Sequence, residues 1–423
     1  MFDSCNNVDQ DQDDIEKGRR VKQFHFTGWP DMKAPEFAAP VLQLLEHVNE
    51  ANPSEAGPVV VHCSAGVGRT GTFITIDSML KMAKAENKLD VFNFVCQMRA
   101  KRMKMIQTAV QYEFLHDALL EALFCGKTTM RTDEVMQTWK TLKSDKQIAG
   151  QHGAIDAMYP AISEDKYNGG RMDTNIGKNR FSDKIPPDSG RPYLMSNGND
   201  PGNNYINATF CNGFAKDNMH LMTQVPLANT TGDFWCMIYD YECHTIVDVS
   251  DQMNTDETCA KYWPEEGRVT CGSFTVEMIK MDVIGKVIER RLKYYKSSEQ
   301  KESRIVTLIQ FTDWPNPRDI PKSVYSFLKL LETVEKGRRD SEDQRIAVMC
   351  LDGVTRCGLL CASISIIDKI KEQQLVDVFQ ATKRVRKSRH DTIPTVDQYR
   401  FCYEVAHEYL QAFETYSNFT QQS

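Results

Sequence analysis

Residues 62–71 read HCSAGVGRTG: a cysteine, an arginine six positions on, and three glycines. A glycine-rich turn entering a helix aims several backbone N–H groups and the helix N-terminus at one point, which makes an anion site. The same field lowers the thiol of Cys63 from about 8.5 towards about 3.5–7.5, so a thiolate able to attack phosphorus is available at neutral pH. Arg69 offers a planar fork for two oxygens of a tetrahedral anion, which lysine does not. Gly66, Gly68 and Gly71 permit positive φ and close backbone approach. Thr70 is placed to donate its hydroxyl to the Cys63 sulfur. The alternative, a cysteine that is only a small buried hydrophobe, needs neither three glycines nor an arginine.

A thiol-phosphate mechanism also needs an acid for the leaving oxygen and a group that orients water. Upstream, WPD (residues 29–31) supplies Asp31 in a proline-containing loop that can swing over the site. A positioned acid contributes about 10²–10⁴-fold. Downstream, MIQTAVQYEF (residues 105–114) supplies Gln107 and Gln111, neutral amides able to hold a water. Taken singly, WPD reads equally as a turn and the glutamines as helix surface.

The elements around these residues follow from pattern. GPVVVHC, residues 57–63, is an apolar β-branched run behind Gly-Pro and predicts a buried strand. Helices are predicted from near Arg69, from about Leu89 to Lys101 and from about Thr108 to Leu123. NNYINATFCNGF, HLMTQVPL and HTIVDVS, beginning at residues 203, 220 and 244, alternate like strands, and residues 396–413 are helical in period.

The chain also repeats itself. HCSAGVGRTG matches MCLDGVTRCG (residues 349–358), DVFNFVCQMRAKR (90–102) matches DVFQATKRVRKSR (377–389), and QYEF (111–114) matches QYRF (398–401), each 287 residues apart. FTGWPD at Phe26 matches FTDWPN at Phe311, an offset of 285. Two related domains follow, and the first copy is expected to lack about its first 150 residues. The assignment is an acidic, disordered lead over 1–20, the C-terminal part of a first, catalytic domain over 21–126, a linker over 127–140, a second domain over 141–415 and a polar tail over 416–423.

Bulk properties narrow the function further. A net charge of −7 argues against nucleic acid as a partner. No apolar run is long enough to span a bilayer, and the polar, acidic start does not resemble a signal peptide. The 13 cysteines show neither a paired framework nor zinc spacing, so reduced thiols in the cytoplasm are expected and no metal or other cofactor is.

The Cys loop with WPD upstream and QTAxQY downstream resembles the protein tyrosine phosphatases over about residues 20 to 415. The resemblance implies an α/β fold, a twisted mixed central sheet flanked by helices, in tandem with the first copy partial. Tandem copies are similar to receptor-type enzymes. QFHFTGWPD, HDALLEALFCGKT, PPDSGRPYL and DQYRFCYEVAHEYL look closest to the MAM-domain-containing receptor subgroup. The resemblance puts the nucleophile at Cys63, the phosphate-binding arginine at Arg69, the acid at Asp31 and the water-orienting amides at Gln107 and Gln111. Ser64, Ala65, Gly66, Val67 and Gly68 then supply the cradle amides. The family's recognition loop has a counterpart only in the second copy, KNRF at residues 178–181. The chain is expected to be the cytoplasmic part of a single-pass membrane receptor. Its partners are phosphotyrosine-containing proteins, with intramolecular or dimeric contacts through the second domain.

The second copy keeps Cys350 and Arg356 and has lost the rest. Asn316 stands for Asp31 and has no proton to donate. Pro394 stands for Gln107, and Thr355 stands for Gly68. Asp352 stands for Ala65, and a carboxylate about 4 Å from a phosphate charge costs roughly 4 kcal/mol at an effective dielectric of about 20. An inactive pseudophosphatase is expected there. Cys350 and Cys357 are read either as a redox pair or as two buried thiols. Three functions remain: hydrolysis of phosphotyrosine through Cys63, weak in this chain and restored with the missing segment; an inert binding or regulatory module; or another Cys-x5-Arg chemistry such as sulfur transfer or lipid phosphate hydrolysis. The last leaves WPD and the glutamines unexplained.

Overall fold

The computed structural model describes residues 21–53, 55–144, 146–159, 163–196, 204–250, 257–339 and 345–420. The lead expected over 1–20 and the last three residues lie outside this set. The chain divides into two compact units, 1–127 and 128–423.

In the first unit the described residues form helices α1 (Ala39–Ala51), α2 (Gly68–Glu86), α3 (Val91–Lys101) and α4 (Ala109–Leu120), the last running into a π-helical turn at Glu121–Cys125. Local chemistry fixes the ends. Asp90 caps α3 through the Asn93 N–H and Thr108 caps α4 through the Gln111 N–H, while Asn87 closes α2 in the left-handed conformation. Val41, Ile76, Leu115 and Ala118 are buried in a core that also holds Trp29.

The predicted strand at 57–63 does not form. Its residues adopt no ladder, and Val59 and Val60 are 45% and 84% exposed. The reason lies in the second unit, where the matching strand is buried between two parallel neighbours. Among the described residues the first unit has no strand to pair with, and a lone strand leaves its own amides and carbonyls unpaired.

The second unit begins with strand β1 (Met130–Arg131) and helices α5 (Thr132–Ser144) and α6 (Lys146–Met158), so residues 127–140, expected as a linker, are largely structured. Two short turns, α7 (Asn168–Arg171) and α8 (Asp173–Ile176), lead into β2 (Ala208–Cys211), β3 (His220–Gln224), α9 (Thr231–Asp240) and β4 (Thr245–Asp248). A meander follows: β5 (Arg268–Cys271), β6 (Phe274–Ile284), β7 (Val287–Lys296) and β8 (Arg304–Phe311). Then come α10 (Val324–Arg339), β9 (Ile346–Cys350), α11 (Thr355–Gln373), β10 (Leu375–Val376), α12 (Val378–Ser388) and α13 (Val396–Thr420), which carries helix into the stretch expected as a tail.

Eight strands form one mixed sheet in the order β2-β3-β9-β4-β8-β7-β6-β5, with β3, β9, β4 and β8 mutually parallel, and β1 pairs with β10. β9 sits centrally, Met349 facing Thr223 on one side and Asp248 on the other, and delivers Cys350 at its C-terminal end. Loops at the carboxyl ends of parallel strands are where α/β sheets place their sites. Among the described residues no helix is long and apolar enough to cross a membrane.

Candidate active site

The turn between Cys63 and α2 brings its donors onto the sulfur. Gly66 sits at φ +65°, a left-handed conformation that costs a residue with a side chain, and its match Gly353 sits at +69°. Thr70 Oγ1 donates to Cys63 Sγ at 3.1 Å. Partial burial pushes this thiol upward, but the Thr70 hydroxyl and the backbone N–H groups of Thr70, Gly66 and Val67 outweigh it and bring the thiol from 9.0 to about 7.

Arg69 stands at the mouth of the turn. Its Nη2 donates to Asp31 Oδ1 at 2.7 Å and to Ser64 Oγ at 3.3 Å, and its Nη1 to the Trp29 carbonyl at 3.2 Å. The Asp31 carboxylate is largely exposed, so this ion pair is exchangeable and an arriving anion can compete for the guanidinium. The WPD loop is anchored beside it. Trp29 is buried, donates through Nε1 to the Lys33 carbonyl at 3.0 Å and meets the Phe114 ring edge-on.

Gln111 ties that loop to α4. It is 1% exposed, its Nε2 donates to the Lys33 carbonyl at 3.3 Å, and its Oε1 accepts the Gln107 N–H at 3.0 Å. A Cβ at Gly68 would lie 2.9 Å from Gln111 Oε1 and 3.3 Å from Gln107 Oε1, so both amides press against the turn and any side chain at this position would push them aside. Cys63, Ser64, Arg69, Thr70, Asp31, Gln107 and Gln111 are therefore brought together. Ala65 and Val67 enter through their backbones: the Ala65 carbonyl accepts from Arg102 and the Val67 carbonyl from the Ile106 N–H.

Two further arginines, which the motif spacing does not single out, support the loop. Arg102 Nη2 donates to the Ala65 carbonyl at 3.0 Å, and Arg99 clamps the Met105 and Ile106 carbonyls at 2.8 and 2.6 Å. The clamp holds Ile106 at φ 58°, a strained value for a β-branched residue that recurs at Ile393. Their signal was in the repeat: Arg386 and Arg389 stand 287 residues on.

The second unit builds the same loop with a different occupant. Asp352 Oδ1 accepts the N–H groups of Val354 and Thr355 at 2.9 and 3.1 Å and the Cys350 thiol at 3.1 Å, and Oδ2 accepts Thr355 Oγ1 at 3.0 Å. Arg356 Nη1 donates to the carbonyls of Val249, Ser250 and Trp314. Asn316 lines the same cavity. At Pro394 there is no N–H to match that of Gln107, and the buried Oε1 of Gln398, the match of Gln111, has no hydrogen-bond partner among the described residues. Cys357, at the position of Thr70, lies 3.2 Å from the Cys350 sulfur, and burial pushes its thiol well above the ordinary value.

Among the described residues no group of His, Cys, Asp and Glu is placed to hold a metal ion. The chain matches the family described as protein-tyrosine phosphatase over residues 4–121 and 175–408. It is 37% identical over 404 residues to receptor-type tyrosine-protein phosphatase U of Gallus gallus, covering 93% of this chain and 28% of that protein. It is 36% identical over 417 residues to receptor-type tyrosine-protein phosphatase epsilon of Mus musculus, covering 96% and 59%. With receptor-type tyrosine-protein phosphatase alpha of Mus musculus the identity is 35% over 406 residues, 95% and 49%. The chain thus spans less than two thirds of the length of these relatives. Two matches to one family, each carrying its own cysteine loop, establish that the chain belongs to the protein-tyrosine phosphatase family.

Proposed function

We propose that this chain hydrolyses phosphotyrosine on proteins through a phosphocysteine at Cys63, and that its second unit is a regulatory pseudophosphatase. The supporting observation is the Cys63 thiol brought to about 7 by Thr70 and the turn's N–H groups, with Arg69 alongside. The thiolate attacks phosphorus and the bond from phosphorus to the tyrosyl oxygen breaks. Arg69 and the amides of Ser64 to Gly68 hold the equatorial oxygens, and Asp31 gives the leaving oxygen its proton. Water held by Gln107 and Gln111 then attacks phosphorus, the S–P bond breaks, and the thiolate and inorganic phosphate are released.

In the second unit Asn316 stands in the place of the acid, Pro394 in that of the first glutamine, and the cradle holds Asp352, so neither step has its full set of groups. The catalytic domain is assigned to 21–126 and the second to 141–415. The receptor-type relatives support placing the chain on the cytoplasmic side of a membrane receptor.

One observation favours the inert-module reading for this chain as it stands: residues 58–62, which should brace the cysteine loop, have no strand neighbours among the described residues. Turnover is therefore expected to be weak, and stronger in a version lengthened to supply strands on both sides of that segment. The test is phosphate release from a phosphotyrosine peptide by both forms. Loss of release in Cys63→Ser with retention in Cys350→Ser supports the reading, and an inactive lengthened form overturns it.

A further inference from the structure

We propose that the cavity of the second unit takes the phenol of an unphosphorylated tyrosine and rejects phosphotyrosine, with Asp352 as the discriminating group. The inference rests on the pseudophosphatase reading and goes beyond it by naming a ligand. In the first unit the turn's N–H groups face a sulfur; in the second, those of Val354 and Thr355 are taken by the Asp352 carboxylate at 2.9 and 3.1 Å. The chain has supplied its own anion. A phosphate entering the cradle would have to displace that carboxylate and then sit beside it as a like charge.

The cations that line the cavity are engaged elsewhere. Arg356 Nη1 donates to three backbone carbonyls at 3.0, 3.1 and 2.7 Å, and Lys184 Nζ lies 2.8 Å from Asp391 and 3.8 Å from Asp183. A neutral donor meets a better reception. Asp352 Oδ2 accepts only the Thr355 hydroxyl among the described residues, which leaves an acceptor site for a phenolic O–H.

Size and shape point the same way. The cavity holds 250 Å³, below the roughly 300–1,000 Å³ of whole-ligand pockets and suited to one inserted side chain. Phe181 lines it at 36% exposure, giving an aromatic wall against which a phenol ring packs edge-on or offset.

The test uses the full chain carrying Cys63→Ser and Arg69→Ala, so that the first site neither turns over nor holds phosphate. N-acetyl-tyrosinamide and its O-phosphate ester are titrated separately and followed by ligand-observed saturation-transfer NMR. The tyrosinamide is expected to bind, the phosphate ester at least about tenfold more weakly. Asp352→Asn should narrow or reverse that preference, and Phe181→Ala should weaken tyrosinamide binding without reversing it. No tyrosinamide binding, equal binding, or preference for the ester overturns the inference. If Asp352→Asn does not fold, the preference of the parent protein and the Phe181→Ala result decide it. The two readings fail separately. Phosphate release from a phosphotyrosine peptide by this protein, abolished by Cys350→Ser, overturns the pseudophosphatase reading; absent tyrosinamide binding without release overturns this inference alone.

Discussion

Replacing Thr70 with valine keeps the shape of a buried side chain and deletes the hydroxyl that lies 3.1 Å from the Cys63 sulfur. That hydroxyl is the largest of the groups lowering this thiol, ahead of three backbone N–H groups that valine leaves in place. A hydrogen bond to a charged acceptor is worth about 1.5–3 kcal/mol, less where water reaches the acceptor as it does here, and about 1.4 kcal/mol corresponds to one pH unit. The midpoint should therefore rise by about one unit from the value of about 7. At neutral pH the thiolate fraction then falls from roughly a half to roughly a tenth, and alkylation slows about fivefold. Iodoacetamide labelling across pH, quantified by mass spectrometry on the peptide containing Cys63, measures this directly. Thr70→Ser, which keeps a hydroxyl, should restore most of the shift. An unchanged midpoint in Thr70→Val would refute the claim that this hydroxyl holds the thiolate.

Three other outcomes follow from the geometry. Gly68→Ala puts a methyl 2.9 Å from Gln111 Oε1 at the start of α2; helix propensity favours alanine by up to about 1 kcal/mol, so thermal stability should hold while hydrolysis of the phosphoenzyme slows about tenfold or more. Asp31→Asn should lower turnover about 10²–10⁴-fold in steady-state assays while Cys63 remains alkylated at close to the parent rate. His220 is 1% exposed, neither of its ring nitrogens has a hydrogen-bond partner among the described residues, and burial, then Arg338, push it from 6.5 down to about 3. Between those values the unfolded chain binds a proton that the folded one does not, so stability falls as pH drops below 6.5, by up to about 1.4 kcal/mol per pH unit. His220→Leu should flatten that dependence in urea unfolding at about pH 5 and about pH 7.

The cysteine loop was legible because its chemistry is local. Cys63 and its hydroxyl donor are seven residues apart, the glycines announce the turn, and Asp90 and Thr108 mark their helix starts with their own side chains. The three valines before the loop were not legible in the same way. Their apolar, β-branched composition is that of a central strand, and β9 with a similar pattern is one, but only because β3 and β4 lie on either side of it. Strand formation depends on neighbours distant in sequence, and in the first unit none is present among the described residues.

The second cysteine loop shows the same dependence on distant partners. Asp352 in place of Ala65 reads in sequence as a repelling charge, whereas its side chain turns back and takes the cradle N–H groups for itself. Pro394 reads as a lost amide; that it also leaves Gln398 Oε1 without a partner among the described residues emerges only from the bond between Gln107 and Gln111. Arg99 and Arg102 look in sequence like ordinary helix-surface charges, and it is their carbonyl partners that make them struts of the loop.

Phosphate is proposed to pass through Cys63 and not through Cys350. A lengthened form that braces residues 58–62 is mixed with a phosphotyrosine peptide, quenched in acid during turnover, digested and examined for phosphate bound to cysteine. An adduct is expected on the peptide containing Cys63, lost in Cys63→Ser, and none on the peptide containing Cys350. An adduct on Cys350, or turnover that survives Cys63→Ser, would contradict it.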